Sequence, residues 1–291
     1  MVKQYSQLYA ETRRRILTVE QEPFATQLAR QILCHFSGKT QEQFLLERDH
    51  YASEEVCAAV DDAVQRVIAQ EPLAYIFGEW SFYGLDLFVD HHVLIPRDDT
   101  CALAELAMRK GLFSDPNPRI LDLCTGSGCI GLAVANRVKD SRVTLADISP
   151  DALAVAKINV NRLKMTARVS CVQVDALQPV PEYLGKYHMI LSNPPYITTE
   201  EMKTLPASVQ EYEPHLALHG GDDGLVFYRS IVENFTPALQ PGGYLCFEYG
   251  EGQGDDVCNI LVKHGYTIVD RVRDFNDTER AVLAQYDRKE K

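Results

Sequence analysis

The order of predicted strands and helices over residues 119–291 is the feature that most constrains the fold. Short apolar segments typical of buried strands alternate there with longer segments of helical periodicity. The predicted strands are 120–124, 143–146, 169–174, 189–192, 243–248, 266–269 and 281–285, and the predicted helices are 130–138, 151–163, 224–235 and 254–264. This order predicts an α/β fold with a seven-stranded, mostly parallel sheet covered on both faces, whose ligands bind at the carboxyl ends of the strands.

Two segments depart from this alternation. No helix separates the last two predicted strands, so we expect them to form an antiparallel hairpin. The segment 197–222 is rich in Glu and Pro and has little periodicity. We interpret it as an irregular lid or substrate loop.

Residues 1–78 are predicted to form a separate helical domain. Val56, Val60 and Val64 recur at helical spacing, and Ser53 followed by two glutamates is typical of a helix start. The pattern itself is compatible with a scaffold or with a substrate-recognition domain, and recognition is our hypothesis.

A β-hairpin linker is predicted for residues 79–97. Apolar positions recur with a period of two on both sides of Gly84. Residues 98–291 then form the remaining domain.

The charge balance weighs against a protein that coats phosphate backbones. The chain has 29 basic and 41 acidic residues, which gives a net charge of −12. A nucleic-acid enzyme would need a local basic groove, and the short basic group at 13–15 does not provide one. We therefore expect no direct nucleic-acid partner.

Cysteine usage and hydropathy indicate a soluble, cytoplasmic protein. The 8 cysteines contain no Cys-x-x-Cys pair and mostly lie in apolar segments, so we interpret them as small buried hydrophobic residues and expect no metal. No apolar segment reaches the about 18 residues that a membrane helix needs, and the N-terminus lacks the apolar core of a signal peptide.

A glycine loop follows the first strand of the sheet, at residues 122–128. Gly126 and Gly128 let the backbone pass close to a ligand, and Asp147 at the end of the next predicted strand is placed to accept hydrogen bonds from a ribose. The arrangement predicts a nucleoside cofactor. It does not choose which one, because Gly126, Gly128 and Gly131 also satisfy the dinucleotide fingerprint.

The third predicted strand ends near Asp175. This carboxylate could hold an adenine amino group with Ala176 against the base. For an aspartate after a strand, however, a turn cap is the commoner role.

The fourth predicted strand ends in a segment suited to grip a planar group, which we call the clamp (residues 193–196). Pro194 and Pro195 stiffen the turn and leave carbonyl oxygens unclaimed by a ladder, Asn193 adds an amide, and Tyr196 adds a ring face. An Asn-Pro-Pro segment alone is more often a plain turn. A nicotinamide enzyme has no need of a rigid amide clamp, whereas methyl transfer to a weakly nucleophilic planar nitrogen does, so the combination favours a methyltransferase.

With these residues identified, the chain resembles the family of N5-glutamine methyltransferases that modify peptide chain release factors. The resemblance runs nearly end to end. It is carried by PLAYIFGEWSFYGLDLFVDHHVLIPRDDT, ILDLCTGSGCIGLAVA, ADISPDALAVAKIN, ILSNPPYI, YEPHLALHGGDDGL, PGGYLCFEYGEGQG and RDFNDTERAV. It implies a helical N-terminal domain joined by a hairpin to a Rossmann-like domain that binds S-adenosylmethionine, with release factors as protein substrates.

The resemblance also implies roles for residues. Those assigned to the cofactor are Asp122, Cys124, Thr125, Gly126, Ser127, Gly128, Asp147, Asp175, Ala176 and Asn193. Within this set Asp147 holds the ribose and Asp175 with Ala176 lies beside the adenine. The clamp residues Asn193, Pro194, Pro195 and Tyr196 bind the substrate glutamine, and Asn193, Pro194 and Tyr196 are assigned to catalysis.

One motif departs from the family pattern. Where the family has Ile-Pro-Arg-Pro-(Glu or Asp)-Thr-Glu, residues 95–101 are Ile-Pro-Arg-Asp-Asp-Thr-Cys. Cys101 thus replaces the final acid, and Asp98 or Asp99 is a candidate to substitute for it. Arg97 is either functional or an ion-pair partner of those acids.

Three other enzyme functions and one non-enzymatic role stay open at this point. A glutamine methyltransferase of a ribosomal protein would share fold and motif, and DNA adenine methyltransferases use a related clamp, although the charge of −12 counts against DNA. A nicotinamide dehydrogenase and a binding or scaffold protein complete the set. No carboxylate base is obvious at the clamp, so we expect the amide proton to leave to water after transfer.

Overall fold

The structure is a computed structural model that describes residues 2–109 and 115–286. The chain forms two compact units, Met1–Gly78 and Glu79–Lys291. In this division the residues of the predicted hairpin linker fall in the second unit.

The described part of the first unit is helical. Its helices are α1 (Tyr5–Ile16), α2 (Phe24–Ser37), α3 (Gln41–Leu46), α4 (Glu54–Ile68) and α5 (Leu73–Phe77). The Ser53 side chain accepts a hydrogen bond from the Val56 N–H, as the predicted helix start requires. Phe24, the first residue of α2, is 62% exposed.

The second unit begins with a two-stranded hairpin. Strands β1 (Glu79–Phe82) and β2 (Leu85–Phe88) pair antiparallel, with Trp80 opposite Leu87. Tyr83 and Gly84 both have positive φ, the backbone of a tight type I′ turn.

The predicted seven-stranded sheet is confirmed. Its strands are β3 (Arg119–Leu123), β4 (Arg142–Asp147), β5 (Val169–Gln173), β6 (Tyr187–Ser192), β7 (Leu239–Glu248), β8 (Tyr266–Arg273) and β9 (Glu279–Tyr286). Their spatial order is β5-β4-β3-β6-β7-β9-β8, parallel from β5 to β7, with β9 antiparallel to both of its neighbours. The chain reverses direction across the sheet between β3 and β6, where Leu123 lies beside Ser192. Crevices for ligands form at such a switch point.

Helices cover both faces of this sheet. They are α6 (Cys101–Ala107), α7 (Cys129–Arg137), α8 (Pro150–Arg162), α9 (Thr199–Met202), α10 (Ala207–Tyr212), α11 (Val226–Phe235) and α12 (Gly254–Lys263). One hydrophobic core contains α6, α7 and the hairpin, and the other contains α11 and α12. None of the helices in the described ranges is long and apolar enough to cross a bilayer.

Three sequence-based predictions need correction. The segment 197–222 contains α9, α10 and a 3₁₀ turn at His215–Ala217, because Thr198 and Glu201 form a capping box and Pro206 starts a second helix. Strand β3 ends at Leu123, one residue early, because Cys124 has φ 61° and leaves the extended region.

The third correction concerns the cysteines. All 8 are free thiols, but only Cys129 and Cys246 are buried, and the other six are partly exposed. These six still pack against the hydrophobic cores, so the prediction of apolar packing holds and only the prediction of full burial was wrong.

Candidate active site

A cleft opens at the carboxyl edge of the sheet, over the switch point. Its walls come from the segment before α6, the glycine loop, the ends of β4 and β5, the clamp and the segment that follows. They comprise His92, Val93, Leu94, Pro96, Arg97, Thr100, Cys124, Thr125, Gly126, Ser127, Cys129, Ile130, Asp147, Ile148, Ser149, Ala152, Val174, Asp175, Ala176, Leu177, Asn193, Pro195, Pro214, Leu216, Ala217 and Phe227.

The glycine loop is held by a carboxylate beneath it. Asp122 is fully buried and accepts hydrogen bonds from Thr125 Oγ1 (2.6 Å) and from the Gly131 N–H (2.9 Å). A Cβ on Gly131 would lie 2.8 Å from Asp122 Oδ2 and 2.4 Å from Leu145, so only glycine permits this approach. Burial raises the pKa of Asp122 to about 7, although both hydrogen bonds lower it.

The second acid of the motif points back to the loop. Asp147 Oδ2 accepts from the Gly126 N–H (2.9 Å) and its Oδ1 accepts from the Ser149 N–H (3.0 Å). Burial raises the pKa of Asp147, and the backbone donors lower it. Asp147 therefore fixes the loop while its carboxylate stays on the cleft wall.

Asp175 caps its own turn, since Oδ1 accepts from the Leu177 N–H at 2.8 Å. It also lines the cleft together with Ala176. Asp175 therefore caps its turn and also lies on the cleft wall, so its position agrees with both interpretations.

The donor set and shape suit a nucleoside. Ser127 Oγ and Asp122 Oδ1 are buried polar atoms that have no hydrogen-bond partner among residues 2–109 and 115–286. Ile148, Leu177 and Phe227 add apolar wall on which a planar base can lie. A ligand with both ribose and base would satisfy Ser127 Oγ on the cleft wall and cover the apolar slot, whereas Asp122 Oδ1 lies behind that wall.

The structure places most of the predicted cofactor residues on this wall. Cys124, Thr125, Gly126, Ser127, Asp147, Asp175, Ala176 and Asn193 line the cleft. Asp122 and Gly128 lie behind it. Gly128 instead starts α7 at φ 84°, and a Cβ there would touch Leu145 and Leu132 at 3.0 and 3.1 Å.

Some clamp residues line the cleft, and the others pack into the protein interior. Asn193 and Pro195 line the cleft, whereas Pro194 is buried and Tyr196 packs against the core beside α11 and α12. Burial raises the pKa of Tyr196 to about 12. The phenol therefore stays neutral at physiological pH.

Glycines from distant segments form a close seat for the clamp backbone. A Cβ on Gly220 would lie 2.6 Å from Tyr196 Cα and 2.7 Å from the Pro195 carbonyl oxygen, and one on Gly224 would lie 2.3 Å from the Tyr196 carbonyl oxygen. Gln253 Nε2 donates to that same Tyr196 oxygen at 3.0 Å. The glycines and glutamine of the two motifs that follow the clamp thus serve to hold it.

Two charged residues of the motif at 95–101 form ion pairs with residues outside it. Arg97 pairs with the buried Glu213 carboxylate, which lies in the segment after the clamp. Asp99 pairs with Arg280 at 3.3 Å, and Arg280 also binds Asp274. Arg97 therefore does not pair with Asp98 or Asp99.

Sequence reasoning missed a buried carboxylate and hydroxyl next to the clamp. Thr100 accepts from Asn193 Nδ2 at 3.5 Å, and both Thr100 and Glu248 are 2% exposed. Glu248 is the last residue of β7. The available signal was an acid ending an otherwise apolar strand, the same pattern that identified Asp147.

Sequence reasoning also missed His92, which lies on the cleft wall. Asp90, His91 and His92 bring potential metal ligands within 4.8 Å of one another. The Asp90 carboxylate accepts from the His92 N–H (3.0 Å), so a local turn accounts for this grouping.

Comparison with known proteins gives consistent matches. The methyltransferase small domain model matches residues 104–243, and the PrmC N-terminal domain model matches residues 7–78. A release factor glutamine methyltransferase of Clostridium acetobutylicum is 38% identical over 255 residues, which span 87% of this chain and 89% of that protein. One from Thermodesulfovibrio yellowstonii is 36% identical over 260 residues, spanning 88% and 91%.

A solved structure shares the fold. A methyltransferase from Pyrococcus furiosus aligns with a TM-score of 0.51 and 16% identity, covering 79% of this chain and 97% of that one. At this identity the likeness shows the fold alone.

Proposed function

We propose that this chain, which belongs to the release factor glutamine methyltransferase family, transfers the methyl group of S-adenosylmethionine to the side-chain amide nitrogen of a glutamine in a peptide chain release factor. The observation that carries the proposal is one cleft that joins a nucleoside-type glycine loop to the Asn-Pro-Pro-Tyr clamp. The glutamine of a Gly-Gly-Gln motif is the proposed acceptor.

The glycine loop and the acids that follow it would hold the cofactor. S-adenosylmethionine, when bound, supplies an electrophilic methyl group. Asp147 lies on the cleft wall and would accept from the ribose hydroxyls, and Ala176 and Leu177 on the same wall would contact the adenine. Ser127 Oγ is available as a further polar contact.

The clamp would bind the acceptor amide. Its nitrogen lone pair is delocalised into the carbonyl, so the amide attacks poorly unless it is held and polarised. Asn193 Oδ1 and the Pro194 carbonyl oxygen can accept its two N–H bonds, and no donor from the described residues occupies the Pro194 oxygen. Such positioning contributes up to about 7–11 kcal/mol in well-aligned cases.

The same acceptors would stabilise the positive charge that develops on nitrogen during transfer. This effect is strongest in a site that excludes water. The buried Pro194 and the half-buried Tyr196 leave one side of the clamp dry. After transfer, the amide proton would leave to solvent through the open side of the cleft.

We also propose that the first unit contributes to recognition of the protein substrate. Apolar side chains lie on its surface, among them Leu45 (59% exposed) and Leu46 (85% exposed). Neighbouring exposed apolar side chains, unlike single ones, are typical of surfaces that contact other proteins.

Labelled-methyl transfer tests the proposed function. The protein, labelled S-adenosylmethionine and a release factor should give a labelled factor, and a factor whose motif glutamine is replaced by alanine should stay unlabelled. Label in the glutamine-less factor would reject this target, and transfer to a ribosomal protein alone would favour the rival acceptor. Thermal shift by S-adenosylhomocysteine but not NAD would exclude a dehydrogenase.

A further inference from the structure

A buried carboxylate lies directly beside the clamp, on the neighbouring strand. β6 and β7 are parallel neighbours, with Ser192 opposite Phe247. The next residues along each strand are Asn193 and Glu248, so the clamp amide and this carboxylate leave adjacent strand ends at the same level. Glu248 is 2% exposed.

Glu248 is an acceptor with unused capacity. Its Oε2 is buried and has no hydrogen-bond partner among residues 2–109 and 115–286. Burial raises the pKa of Glu248 to about 7, while hydrogen bonding by the side chains of Thr100 and Asn193 lowers it less strongly. A buried acid with an open acceptor site requires an explanation, and its position beside the clamp makes it a candidate for a functional contact.

The orientation of the Asn193 side-chain amide must be fixed for the clamp to work, and Glu248 can fix it. The two ends of the amide differ in chemistry but hardly in shape, because one is an acceptor oxygen and the other a donor NH₂ group. To hold an amide N–H, the clamp must turn Oδ1 to the cleft and Nδ2 away from it. In the structure Nδ2 faces Thr100 Oγ1, at 3.5 Å.

An ionised carboxylate accepts hydrogen bonds and cannot donate them, so it selects the NH₂ end of a neighbouring amide. We propose that Glu248 is a positioning residue that, with Thr100 as a bridge, holds Asn193 Nδ2 and thereby keeps Asn193 Oδ1 directed at the acceptor amide. The acid takes no part in proton transfer.

Several charged or titratable groups influence Glu248 from the elements around it. Arg280 on β9 lowers the pKa of Glu248 and Asp99 raises it. The neighbouring groups Tyr196, Tyr228, Cys101 and Cys129 stay neutral, because burial raises the pKa of each. Arg280 is itself paired with Asp274 and Asp99. Together, these opposing effects on its pKa allow Glu248 to ionise as the pH rises through neutrality.

The test compares Glu248→Gln with a matched control, Glu279→Gln. Glu279 lies on β9, binds Tyr249 and Arg271, and is not among the residues of the cleft wall. We expect Glu248→Gln to lower kcat about 10- to 100-fold, because its amide accepts either end of Asn193, with KM for the factor and S-adenosylhomocysteine affinity nearly unchanged. Glu279→Gln should keep the wild-type kcat.

The bridge offers a second pair of variants. Thr100→Val should lower kcat in the same way, and Thr100→Ser, which keeps the hydroxyl, should keep the wild-type kcat.

The pH dependence of kcat is a further test. The wild-type kcat should fall as pH drops through about 7, since a protonated Glu248 no longer selects the NH₂ end of Asn193. This decrease at low pH, the acid limb, should be absent in Glu248→Gln. Full activity of Glu248→Gln, or an unchanged acid limb, would overturn the proposal.

The proposal rests on the proposed function, and a measurement without substrate separates the two. In the ¹⁵N spectrum of the free protein, the Asn193 side-chain NH₂ resonance, assigned by its loss in Asn193→Ser, should titrate near pH 7 in wild type and not in Glu248→Gln. If the wild type methylates no release factor but this resonance titrates, the proposed function fails and the positioning role stands. A resonance identical in both proteins at every pH would refute the positioning role alone.

Discussion

The two halves of the cleft are built in different ways. In the cofactor half, the decisive hydrogen bonds join residues close in the chain, such as Thr125 to Asp122, 3 apart, and Gly126 to Asp147, 21 apart. In the acceptor half, Asn193 contacts Thr100 across 93 residues, and Gln253 holds Tyr196 across 57. One half is a local β-α-β motif, and the other is assembled by tertiary packing.

This difference predicts different responses to mutation. The glycine loop presents backbone groups and a carboxylate, so damage there should weaken cofactor binding. The clamp is positioned by side chains and glycines from several segments, so damage there should lower the transfer rate. Each prediction below tests this division.

The largest effect should come from removing the clamp amide. Asn193→Ala removes an acceptor for the substrate N–H, so we expect kcat to fall about 100-fold or more, with S-adenosylhomocysteine affinity nearly unchanged. Asp147→Ala should do the reverse, weakening that affinity about 10- to 100-fold, as expected for a lost charged hydrogen bond, with a smaller effect on kcat at saturating cofactor. Calorimetry and labelled-methyl kinetics measure both.

Equal loss of binding and rate in Asn193→Ala would mean that the residue is structural. It would also remove the functional division between the two halves.

A smaller loss should follow from pushing the clamp out of its glycine seat. Gly220→Ala places a Cβ 2.6 Å from Tyr196 Cα, and because the contact is backbone, the clamp must shift. We expect about 1–3 kcal/mol of destabilisation and a kcat reduced about 10-fold, with cofactor affinity kept. Denaturant melts and kinetics report the two effects.

Gly242→Ala is the control for destabilisation alone. Gly242 has φ 74°, and a Cβ there would contact the end of the flexible Gln285 side chain. The alanine variant is therefore strained but does not touch the clamp. If Gly242→Ala lowers kcat as much as Gly220→Ala does, the seat has no specific role.

The smallest effect concerns a property that the two halves share. Each buries a carboxylate, Asp122 or Glu248, whose pKa burial raises to about 7. From the ordinary values of 3.8 and 4.5 up to about 7, the unfolded chain releases these protons and the folded protein keeps them. Stability from these groups is therefore present at low pH and lost as pH rises to about 7.

Asp122→Asn and Glu248→Gln lack this titration. The Tm of each variant relative to wild type should increase by a few degrees from pH 5 to pH 8, and differential scanning calorimetry of the free protein measures it. A Tm difference that does not change with pH would show that the two acids ionise normally in the folded protein.

Much of the cofactor half could be predicted from the sequence. The alternation of strands and helices, the glycines at 126 and 128 and the acid at 147 are all local patterns, and the structure brings them together at one strand edge. The strand boundary at Cys124 was wrong by one residue because a left-handed backbone at a non-glycine residue has no strong sequence signal.

The acceptor half was only partly predictable. The clamp itself was visible as Asn193 to Tyr196, but its surroundings were not. Asp98 and Asp99 were candidates for the missing acid because they are near in sequence, whereas Glu248 lies beside Asn193 because β6 and β7 pair. Similarly, Arg97 pairs with Glu213, 116 residues away, and not with its neighbours.

The sequence by itself determined the order of the sheet-forming segments, the nucleoside-type loop and the presence of a rigid amide clamp, because these depend on contacts within a strand, a turn or one β-α-β unit. Only the tertiary structure decided which side chains surround that clamp. The reason is physical: which strand ends become neighbours depends on how the whole sheet pairs and packs, and no local periodicity encodes that proximity.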